Sequence, residues 1–229
     1  MVSAIIVAAG KGTRMGPDVD KLFLEVAGRP IVAHTWQRFD DSEAIDDLIV
    51  VVRNGMQDAF ADLARQFRFR KPFRLVIGGK ERQDSVWNGL QALEANCEIV
   101  AIHDGARPCT SKDLIASTVA AAREFGAAVA AQRVTDTLKE SDDGVLITRN
   151  VDRSKLWAVQ TPQTFKVEII RRALEAVRAG GLLVTDDTAA CEVINQSVRL
   201  VAAGEPNPKA TSRADLPLLE VLLQANQRA

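Results

Sequence analysis

The chain has 229 residues, a formal net charge of −1 at neutral pH and an apolar fraction of 47%. This length suits one large α/β domain with a real core, and the near-zero charge argues against a nucleic-acid or anionic-membrane surface. No apolar run reaches the ~18 residues of a membrane span, so we expect neither a span nor a signal peptide. The cysteines, Cys97, Cys109 and Cys191, lack metal-type spacing, which favours a reduced, cytoplasmic protein.

The first thirty residues or so combine a predicted buried strand with a glycine-rich loop. Residues 4–9 are a continuous apolar run, as a strand covered on both faces requires. The run ends in GKGTRMG, residues 10–16, and Lys21 follows. Glycine lets backbone N–H groups approach a ligand, and arginine and lysine bind phosphate oxygens. The pattern predicts a polyphosphate site at the carboxyl end of a parallel sheet.

Two better-known phosphate loops do not fit this stretch. The P-loop spacing between its first glycine and a Gly-Lys-Ser/Thr is absent. The dinucleotide pattern would need a third glycine at Met15 and an acidic residue instead of Arg53 after the second strand. Taken by itself, the loop could also be a glycine-rich turn whose charged residues bind no phosphate.

Strands and helices then alternate at ~25-residue spacing as far as residue 131, which predicts βαβ units and a mostly parallel, Rossmann-like sheet with helices on both faces. A short strand is predicted at 22–26, and a helix begins near Pro30. Another helix follows the glycine turn at Gly78. The other predicted elements here are strands at 48–52, 73–77, 99–102 and 127–131 and helices at 56–67 and 114–125.

The pattern changes in residues 135–165. Asp143-Gly144 is a hairpin turn signal between strand-like segments at 136–139 and 146–149, and no helical segment covers them. Such sequence buries little surface alone, so we expect a β-arm that packs on a second subunit in a homodimer. The α/β pattern resumes with helices at 166–177, after Asp187 and at 213–223, and a strand at 198–201. We therefore treat residues 1–229 as one domain with an arm at about 135–165.

The segments after the first, third and fourth predicted strands belong to the same edge of the sheet, where open α/β sheets bind ligands. Asp104 and Arg107 are candidates for holding a metal-bound phosphate and a second anion, or they form a solvated turn and a helix cap. Ser85, near Gly79 and Arg82, either grips a base and ribose or only makes a helix-end hydrogen bond.

Other polar residues have ordinary explanations in isolation. Lys209 is most simply solvated, and Arg153 pairs with Asp152 on an exposed surface. His34 is expected to pack on its helix, and His103 to orient the turn after the fourth strand. No Ser-His-Asp or Cys-His nucleophile is convincing.

Eight blocks spread in order along nearly the whole chain resemble the 2-C-methyl-D-erythritol 4-phosphate cytidylyltransferases, the CTP-using enzymes of non-mevalonate isoprenoid synthesis. They are AAGKGTRMG with Lys21, GGKERQDSV, HDGARP, VTDTLK, VDRSKLW, QTPQTF, TDDTAACE and the segment from Lys209. The first block alone resembles the wider sugar-nucleotide and alditol-phosphate nucleotidyltransferases. The resemblance implies an α/β nucleotide-binding fold with a dimerising β-arm. It also implies transfer of CMP from CTP to methylerythritol phosphate, with release of pyrophosphate.

The resemblance implies residue roles by position. Arg14 and Lys21 match cations that stabilise the α-phosphate in the transition state, and Arg153 and Lys209 complete the catalytic set. Contacts to CTP are implied for Ala8, Ala9, Gly10, Gly12, Gly79, Arg82, Ser85 and Asp104. Contacts to the acceptor are implied for Asp104, Arg107, Thr137, Arg153, Thr161 and Lys209. We expect Arg153 and Thr161 to act on the partner's site. Mg²⁺ is the expected cofactor, held mainly by CTP phosphates, with Asp104 as a candidate protein ligand.

Departures from the family pattern bear on the acceptor pocket more than on the CTP loop. The family commonly has Pro-Lys-Gln at Asp20-Lys21-Leu22, and alanine at Gly105.

Ribitol 5-phosphate cytidylyltransferases share the first loop and are the nearest alternative function. A non-catalytic homologue that binds CTP or a polyol phosphate is another, and a dehydrogenase is a third. The chemistry itself suits a chain with two histidines, because a phosphomonoester with a second pKa near ~6 is already a dianionic nucleophile and needs no base.

Overall fold

The fold was analysed in a computed structural model, and the structure describes residues 1–10 and 20–228. Within them the strands are β1 (Val2–Ala8), β2 (Glu25–Val26), β3 (Arg29–Pro30), β4 (Asp47–Val52), β5 (Phe73–Ile77), β6 (Ile99–Asp104), β7 (Ala127–Arg133), β8 (Leu138–Glu140), β9 (Arg149–Val151), β10 (Trp157–Lys166) and β11 (Arg199–Ala202). The α-helices are α1 (Ile31–Asp40), α2 (Gln57–Phe67), α3 (Arg82–Gln91), α4 (Lys112–Phe125), α5 (Val167–Ala179), α6 (Asp187–Val193) and α7 (Leu216–Arg228).

Seven of these strands form one central sheet in the order β11-β7-β10-β6-β1-β4-β5. Strand β1 pairs in parallel with β4 and β6, β4 with β5, and β7 with β11. Strand β10 is antiparallel to both of its neighbours, β6 and β7. The prediction of a mostly parallel α/β sheet is confirmed, with β10 as its antiparallel member.

Two hydrophobic cores cover the two faces of the sheet. Along β4, Leu48, Val50 and Val52 pack with residues of α1, α2, α4 and α7, whereas Ile49 and Val51 pack with residues of α3, α5 and α6. Successive side chains of a strand point to opposite faces, so a strand covered on both sides needs an uninterrupted apolar run. This is why strands β1 and β4 can be predicted from the sequence.

The predicted arm is shorter than expected. Its hairpin consists of β8 and β9, which pair from Leu138 with Val151 to Glu140 with Arg149. The predicted boundary at residue 165 is wrong, because β10 belongs to the central sheet and fills the space between β6 and β7. Its sequence is as strand-like as that of the arm, so pattern alone could not separate the two.

Both hairpin strands also begin later in the chain than the predicted segments at 136–139 and 146–149, by two residues for β8 and three for β9. The Asp143 carboxylate accepts hydrogen bonds from the backbone N–H groups of Val145 and Leu146, at 2.8 Å each, and this local turn keeps both residues out of the ladder. Three consecutive apolar side chains in the turn are therefore exposed. Their exposed fractions are 82% for Val145, 70% for Leu146 and 67% for Ile147.

Two other local predictions need correction. Residues 22–26 are not one strand, because the Asp20 carboxylate accepts from the Leu22 N–H and starts a 3₁₀ turn at Lys21–Phe23 before the short hairpin of β2 and β3. The last helix is preceded by a 3₁₀ turn at Arg213–Asp215. None of the helices in the described ranges is both long and apolar enough to cross a membrane.

Candidate active site

A pocket lies at the carboxyl edge of β1 and β6, where the parallel strands deliver their following loops. Its lining comes from the end of β1, the 3₁₀ turn after residue 20, the start of α3, the end of β6 and the segment before α7. The lining residues are Val7, Ala9, Gly10, Lys21, Leu22, Gly79, Lys80, Glu81, Arg82, Ser85, Asp104, Gly105, Ala106 and Lys209.

Gly78 allows the segment before α3 to approach the residue after β1, and Gly79 allows this segment to pack closely on the first turn of α3. A Cβ on Gly78 would lie 2.4 Å from Ala9 Cβ, and a Cβ on Gly79 would lie 2.2 Å from Asp84 Cβ, so neither position accepts a side chain without movement. The buried Ser85 hydroxyl accepts from the Gly79 N–H at 3.1 Å and donates to the Glu81 carbonyl at 3.2 Å. The helix-end hydrogen bond expected as one alternative for Ser85 is therefore present, at the wall of the pocket.

Lys21 is positioned by an ion pair of the preceding residue, Asp20, which stands where the family commonly has proline. Asp20 pairs with Arg53 at 2.7 Å and also caps the 3₁₀ turn that contains Lys21. The Lys21 ammonium donates to the Ala210 carbonyl at 3.3 Å. Arg53, which argued against a dinucleotide site, thus anchors the turn that presents Lys21 to the pocket.

Asp104 is surrounded by cations from three parts of the chain. Its carboxylate lies 2.8 Å from Lys209 Nζ, 3.4 Å from Arg82 Nε and 3.6 Å from Arg107 Nε. Burial opposes ionisation of this carboxyl, but the charges of Arg82, Lys209 and Arg107 outweigh burial and hold the pKa of Asp104 well below its usual range. Asp104 is therefore a carboxylate at every physiological pH.

His103 orients the turn after β6, as the sequence predicts. Its Nε2 is 3.1 Å from the Arg107 carbonyl, which can only accept, so Nε2 carries the proton. Its Nδ1 then accepts from the Thr161 hydroxyl at 3.0 Å, and the Thr161 oxygen accepts from the Asp104 N–H at 3.1 Å. Burial lowers the pKa of His103 to about 4, so the ring is neutral near pH 7. A neutral, fully buried ring is not placed to exchange protons with a ligand.

The segment that contains Lys209 is held in place through Asn207, a residue that no motif in the sequence marks as functional. Arg107 Nη1 donates to the Asn207 carbonyl at 2.8 Å, and Asn207 Nδ2 donates to the Thr161 carbonyl at 2.8 Å. Ala210 N–H also donates to the Ala106 carbonyl at 2.8 Å. The two prolines that flank Asn207 were the available signal, because they restrict the backbone of an otherwise irregular segment.

The structure brings most of the sequence-predicted CTP residues together. Gly12 and Arg14 lie outside the described residues, and Ala8 is buried at the end of β1, beside the pocket. Arg107 lies behind Asp104 rather than in the lining. The predicted residues that line the pocket are Ala9, Gly10, Lys21, Gly79, Arg82, Ser85, Asp104 and Lys209.

The expectation for Thr161 needs correction. Because β10 is part of the central sheet, Thr161 lies beneath the pocket of its own chain, where it bonds to His103 and Asp104, and it does not extend toward a partner. Thr137 and Arg153 do lie in the arm, and both are exposed. Arg153 donates to the Thr135 carbonyl, while Asp152 accepts from Ser154 instead of pairing with Arg153.

The described residues contain no group of three or more His, Cys, Asp or Glu side chains arranged to hold a metal ion. Asp104 and Glu81 are the carboxylates in the described pocket lining, and cations already contact both oxygens of Asp104. A carboxylate has about four lone-pair sites, so Asp104 could give one oxygen to Mg²⁺ only as a minor ligand. This donor set fits an ion that is held mostly by phosphate oxygens.

Comparisons with known proteins place this arrangement in context. The family model for IspD, 2-C-methyl-D-erythritol 4-phosphate cytidylyltransferase, matches residues 2–225. A protein of that name from Geobacillus kaustophilus is 42% identical over 220 residues, covering 96% of each chain. Another from Alkaliphilus oremlandii is 39% identical over 226 residues, covering 98% of this chain and 96% of its own length.

Solved structures agree with these sequence matches. The 4-diphosphocytidyl-2C-methyl-D-erythritol synthase of Anaerococcus prevotii superimposes with a TM-score of 0.86 at 32% identity, covering 97% of this chain and 96% of that one. The 2-C-methyl-D-erythritol 4-phosphate cytidylyltransferase of Thermus thermophilus has a TM-score of 0.79 at 31% identity, covering 98% of this chain and all of that one.

Proposed function

The chain belongs to the 2-C-methyl-D-erythritol 4-phosphate cytidylyltransferase family, and from this premise we propose that the pocket at the carboxyl edge of β1 and β6 is where it works. The enzyme transfers CMP from CTP to 2-C-methyl-D-erythritol 4-phosphate and releases pyrophosphate. The observation that supports this location is the convergence of Gly10, Lys21, Gly79, Asp104 and Lys209 on one pocket at the ligand-binding edge of a parallel sheet.

In the reaction an oxygen of the acceptor phosphate forms a bond to the α-phosphorus of CTP. The bond between that phosphorus and the bridging oxygen of the β-phosphate breaks, and its electrons leave with pyrophosphate. The acceptor phosphate is already a dianion near pH 7, so no protein base is needed. The barrier is repulsion between two polyanions, and the pocket's task is to position them and to offset their charge.

Each side of the pocket has a distinct task in this proposal. The backbone at Gly10, together with Gly12 and Arg14, receives the triphosphate. Lys21 neutralises the charge that builds on the α-phosphate, and Gly79 and Ser85 frame the cytosine and ribose. Asp104 holds Lys209 toward the acceptor, and Arg107 supports the Asp104 carboxylate from behind.

Mg²⁺ is the proposed cofactor, with Asp104 as its minor protein ligand and CTP phosphates as its main ones. When bound, the ion would neutralise phosphate charge in the same way as the cationic side chains. The protein's own part is to keep the Asp104 carboxylate ionised and oriented, which Arg82 does at Oδ1 and Lys209 at Oδ2.

The acceptor side of the site is completed by a second subunit in our proposal. Thr137 and Arg153 lie in the arm, and neither lines the pocket of its own chain. The exposed apolar turn of the arm suits burial against another copy, and a homodimer would bring Arg153 of one chain to the acceptor phosphate of the other. We also propose a cytoplasmic location, because all three cysteines are free and buried.

Pyrophosphate release tests this function. The wild-type chain is offered CTP and Mg²⁺ with either methylerythritol phosphate or ribitol 5-phosphate, and each acceptor is also tested with ATP and GTP. We expect release with CTP and methylerythritol phosphate only. Comparable release with ribitol 5-phosphate or with a purine triphosphate would overturn the assignment, and CTP binding without release would favour a non-catalytic homologue.

A further inference from the structure

Asp187 is a buried carboxylate next to the pocket that none of the roles above uses. It is 1% exposed at the first residue of α6, and its Oδ2 lies 2.9 Å from Arg82 Nη1. An ionised carboxylate is costly to bury unless a cation compensates it, and Arg82 is the cation that the described structure supplies. The pair therefore joins the start of α6 to the start of α3 beneath the nucleotide side of the pocket.

Arg82 is held between two carboxylates. Its Nε faces Asp104 Oδ1 at 3.4 Å, and its Nη1 faces Asp187. A guanidinium is planar, so two fixed contacts on different edges define the direction of the whole group. Its third nitrogen, Nη2, is buried and has no hydrogen-bond acceptor within the described part of the chain. A buried donor without a partner is unfavourable, and a ligand oxygen would satisfy it.

Asp187 is itself held rigidly by β10. Gln163 is buried and accepts from the Asp187 N–H at 2.9 Å through Oε1, while its Nε2 donates to Asp186 Oδ2 at 2.9 Å. Asp186 caps α6 by accepting from the Ala189 N–H. The side-chain amide of Gln163 thus fixes the backbone of Asp187, the residue that pairs with Arg82. Asp186 alone would be enough to cap α6, so the hydrogen bond from Gln163 to Asp187 is an additional restraint.

We propose that Asp187 is a positioning residue for cytidylyl transfer, which holds Arg82 so that its free edge binds an oxygen of CTP. This inference rests on the proposed function, because it assigns Arg82 to the nucleotide. Burial raises the pKa of Asp187 and the charge of Arg82 opposes that rise, as expected of a carboxylate that depends on one cation. Asp187 does not touch the ligand and acts only through Arg82.

A double-mutant cycle tests whether Asp187 affects CTP binding through Arg82. The dissociation constant of CTP, in the presence of Mg²⁺, is measured by calorimetry for four proteins: the wild type, Asp187→Asn, Arg82→Ala and the double variant. Loss of a charge-assisted hydrogen bond to a ligand weakens binding roughly tenfold to a hundredfold. We expect Asp187→Asn to weaken CTP binding by about this factor in the wild-type background and to have almost no effect in the Arg82→Ala background. Additive losses would mean that Asp187 only stabilises the fold, and would overturn the proposal.

Gln83 supplies the matched control. Its side chain makes two hydrogen bonds to the segment before α6, with the Leu182 carbonyl at 3.0 Å and the Val184 N–H at 2.9 Å, whereas the described partners of the Arg82 guanidinium are Asp104 and Asp187. Gln83→Ala should loosen the same pair of elements and leave CTP affinity within about threefold of wild type. Equal losses in Gln83→Ala and Asp187→Asn would contradict a specific role for Asp187.

Arg82→Lys keeps the inference testable if Asp187→Asn fails to fold. Lysine retains the charge but cannot contact Asp104, Asp187 and a ligand along fixed directions, so we expect CTP binding to weaken at least about tenfold. Unchanged affinity would overturn the proposal. If the wild-type chain binds no CTP, the proposed function is overturned. If the wild-type chain binds CTP but the losses in the double-mutant cycle are additive, only this inference is overturned.

Discussion

At the scale of single residues, the site is a set of cations arranged around one carboxylate. Asp104 contacts Lys209, Arg82 and Arg107, and Lys21 joins the same group through the Ala210 carbonyl. The carboxylate holds these long side chains in place, and in our proposal Lys21, Arg82 and Lys209, which line the pocket, face phosphate oxygens when the ligand binds. Such preorganisation reduces the reorganisation that the transition state would otherwise require.

Lys21 is the residue whose loss we expect to affect turnover most directly. Its charge is most useful when the α-phosphate becomes five-coordinate, so Lys21→Ala should lower kcat by ~10²–10³, or ~3–4 kcal/mol, and weaken CTP binding far less. Steady-state kinetics and CTP calorimetry on the same preparation separate the two effects. Near-normal turnover would remove Lys21 from the mechanism.

Arg14→Ala should lower turnover in the same way as Lys21→Ala. Arg14→Lys should not restore activity if the arginine binds two phosphate oxygens.

His103 makes stability depend on pH. Its folded pKa of about 4 lies below the ordinary value of 6.5, so the unfolded chain binds more protons between these values and stability falls as pH drops from about 7 to about 4. The full contribution is roughly 3 kcal/mol. Urea unfolding at pH 7 and pH 4.5 should show a smaller loss for His103→Gln than for wild type. Equal losses in both proteins would show that His103 is not the group responsible.

At the scale of elements, the loops at one edge of the sheet build the pocket and the hairpin of β8 and β9 extends away from the core. The three apolar side chains at its turn are among the most exposed of the described chain. Exposed neighbouring apolar residues usually mark an interaction surface. We therefore expect the arm to be the dimer contact.

Leu146→Glu tests this contact. A charge placed in a buried apolar interface of a symmetric dimer is introduced twice, so we expect the dimer dissociation constant to rise at least about tenfold in sedimentation equilibrium. Val221→Glu, at another exposed apolar side chain in α7, should leave the dimer intact. An unchanged association constant for Leu146→Glu would exclude the turn of the arm from the interface.

Most of the fold is predictable because its central strands are covered on both faces and its helices are amphipathic. The apolar runs of β1 and β4 and the glycines before α3 predicted the edge of the sheet at which the pocket lies. The place of β10 was not predictable, since an antiparallel strand inserted between β6 and β7 has the same local pattern as an arm strand. Contacts such as Arg82 with Asp187 were also hidden, because they join residues far apart in sequence.

At the scale of the whole molecule, we propose that the nucleotide side and the acceptor side of the site come from different chains. The pocket that we assign to the nucleotide is lined by residues of one chain, around the carboxyl ends of β1 and β6. Thr137 and Arg153, in contrast, belong to the arm and do not line that pocket. We propose a dimer in which each arm completes the partner's site, which would explain why these two exposed polar residues lie at the base of the arm.

Subunit mixing tests that arrangement. An Arg153→Ala chain and a Lys21→Ala chain should each be nearly inactive alone. If Arg153 serves the partner, a mixed dimer has one site with both lesions and one site with neither, so activity should return when subunits exchange. If Arg153 serves its own chain, every site has one lesion and activity stays low, provided that exchange is shown independently by labelled subunits.

The central claim is that CTP binds at the carboxyl edge of β1 and β6, and an experimental structure with CTP and Mg²⁺ tests it most directly. We expect the triphosphate against Gly10 and Lys21 and the cytosine between Gly79 and Ser85. A larger cavity of about 650 Å³ lies at the opposite end of β6, lined in part by Cys97, Arg123, Lys166 and Arg171. CTP bound in that cavity, with the pocket at Lys21 free of nucleotide, would contradict the account.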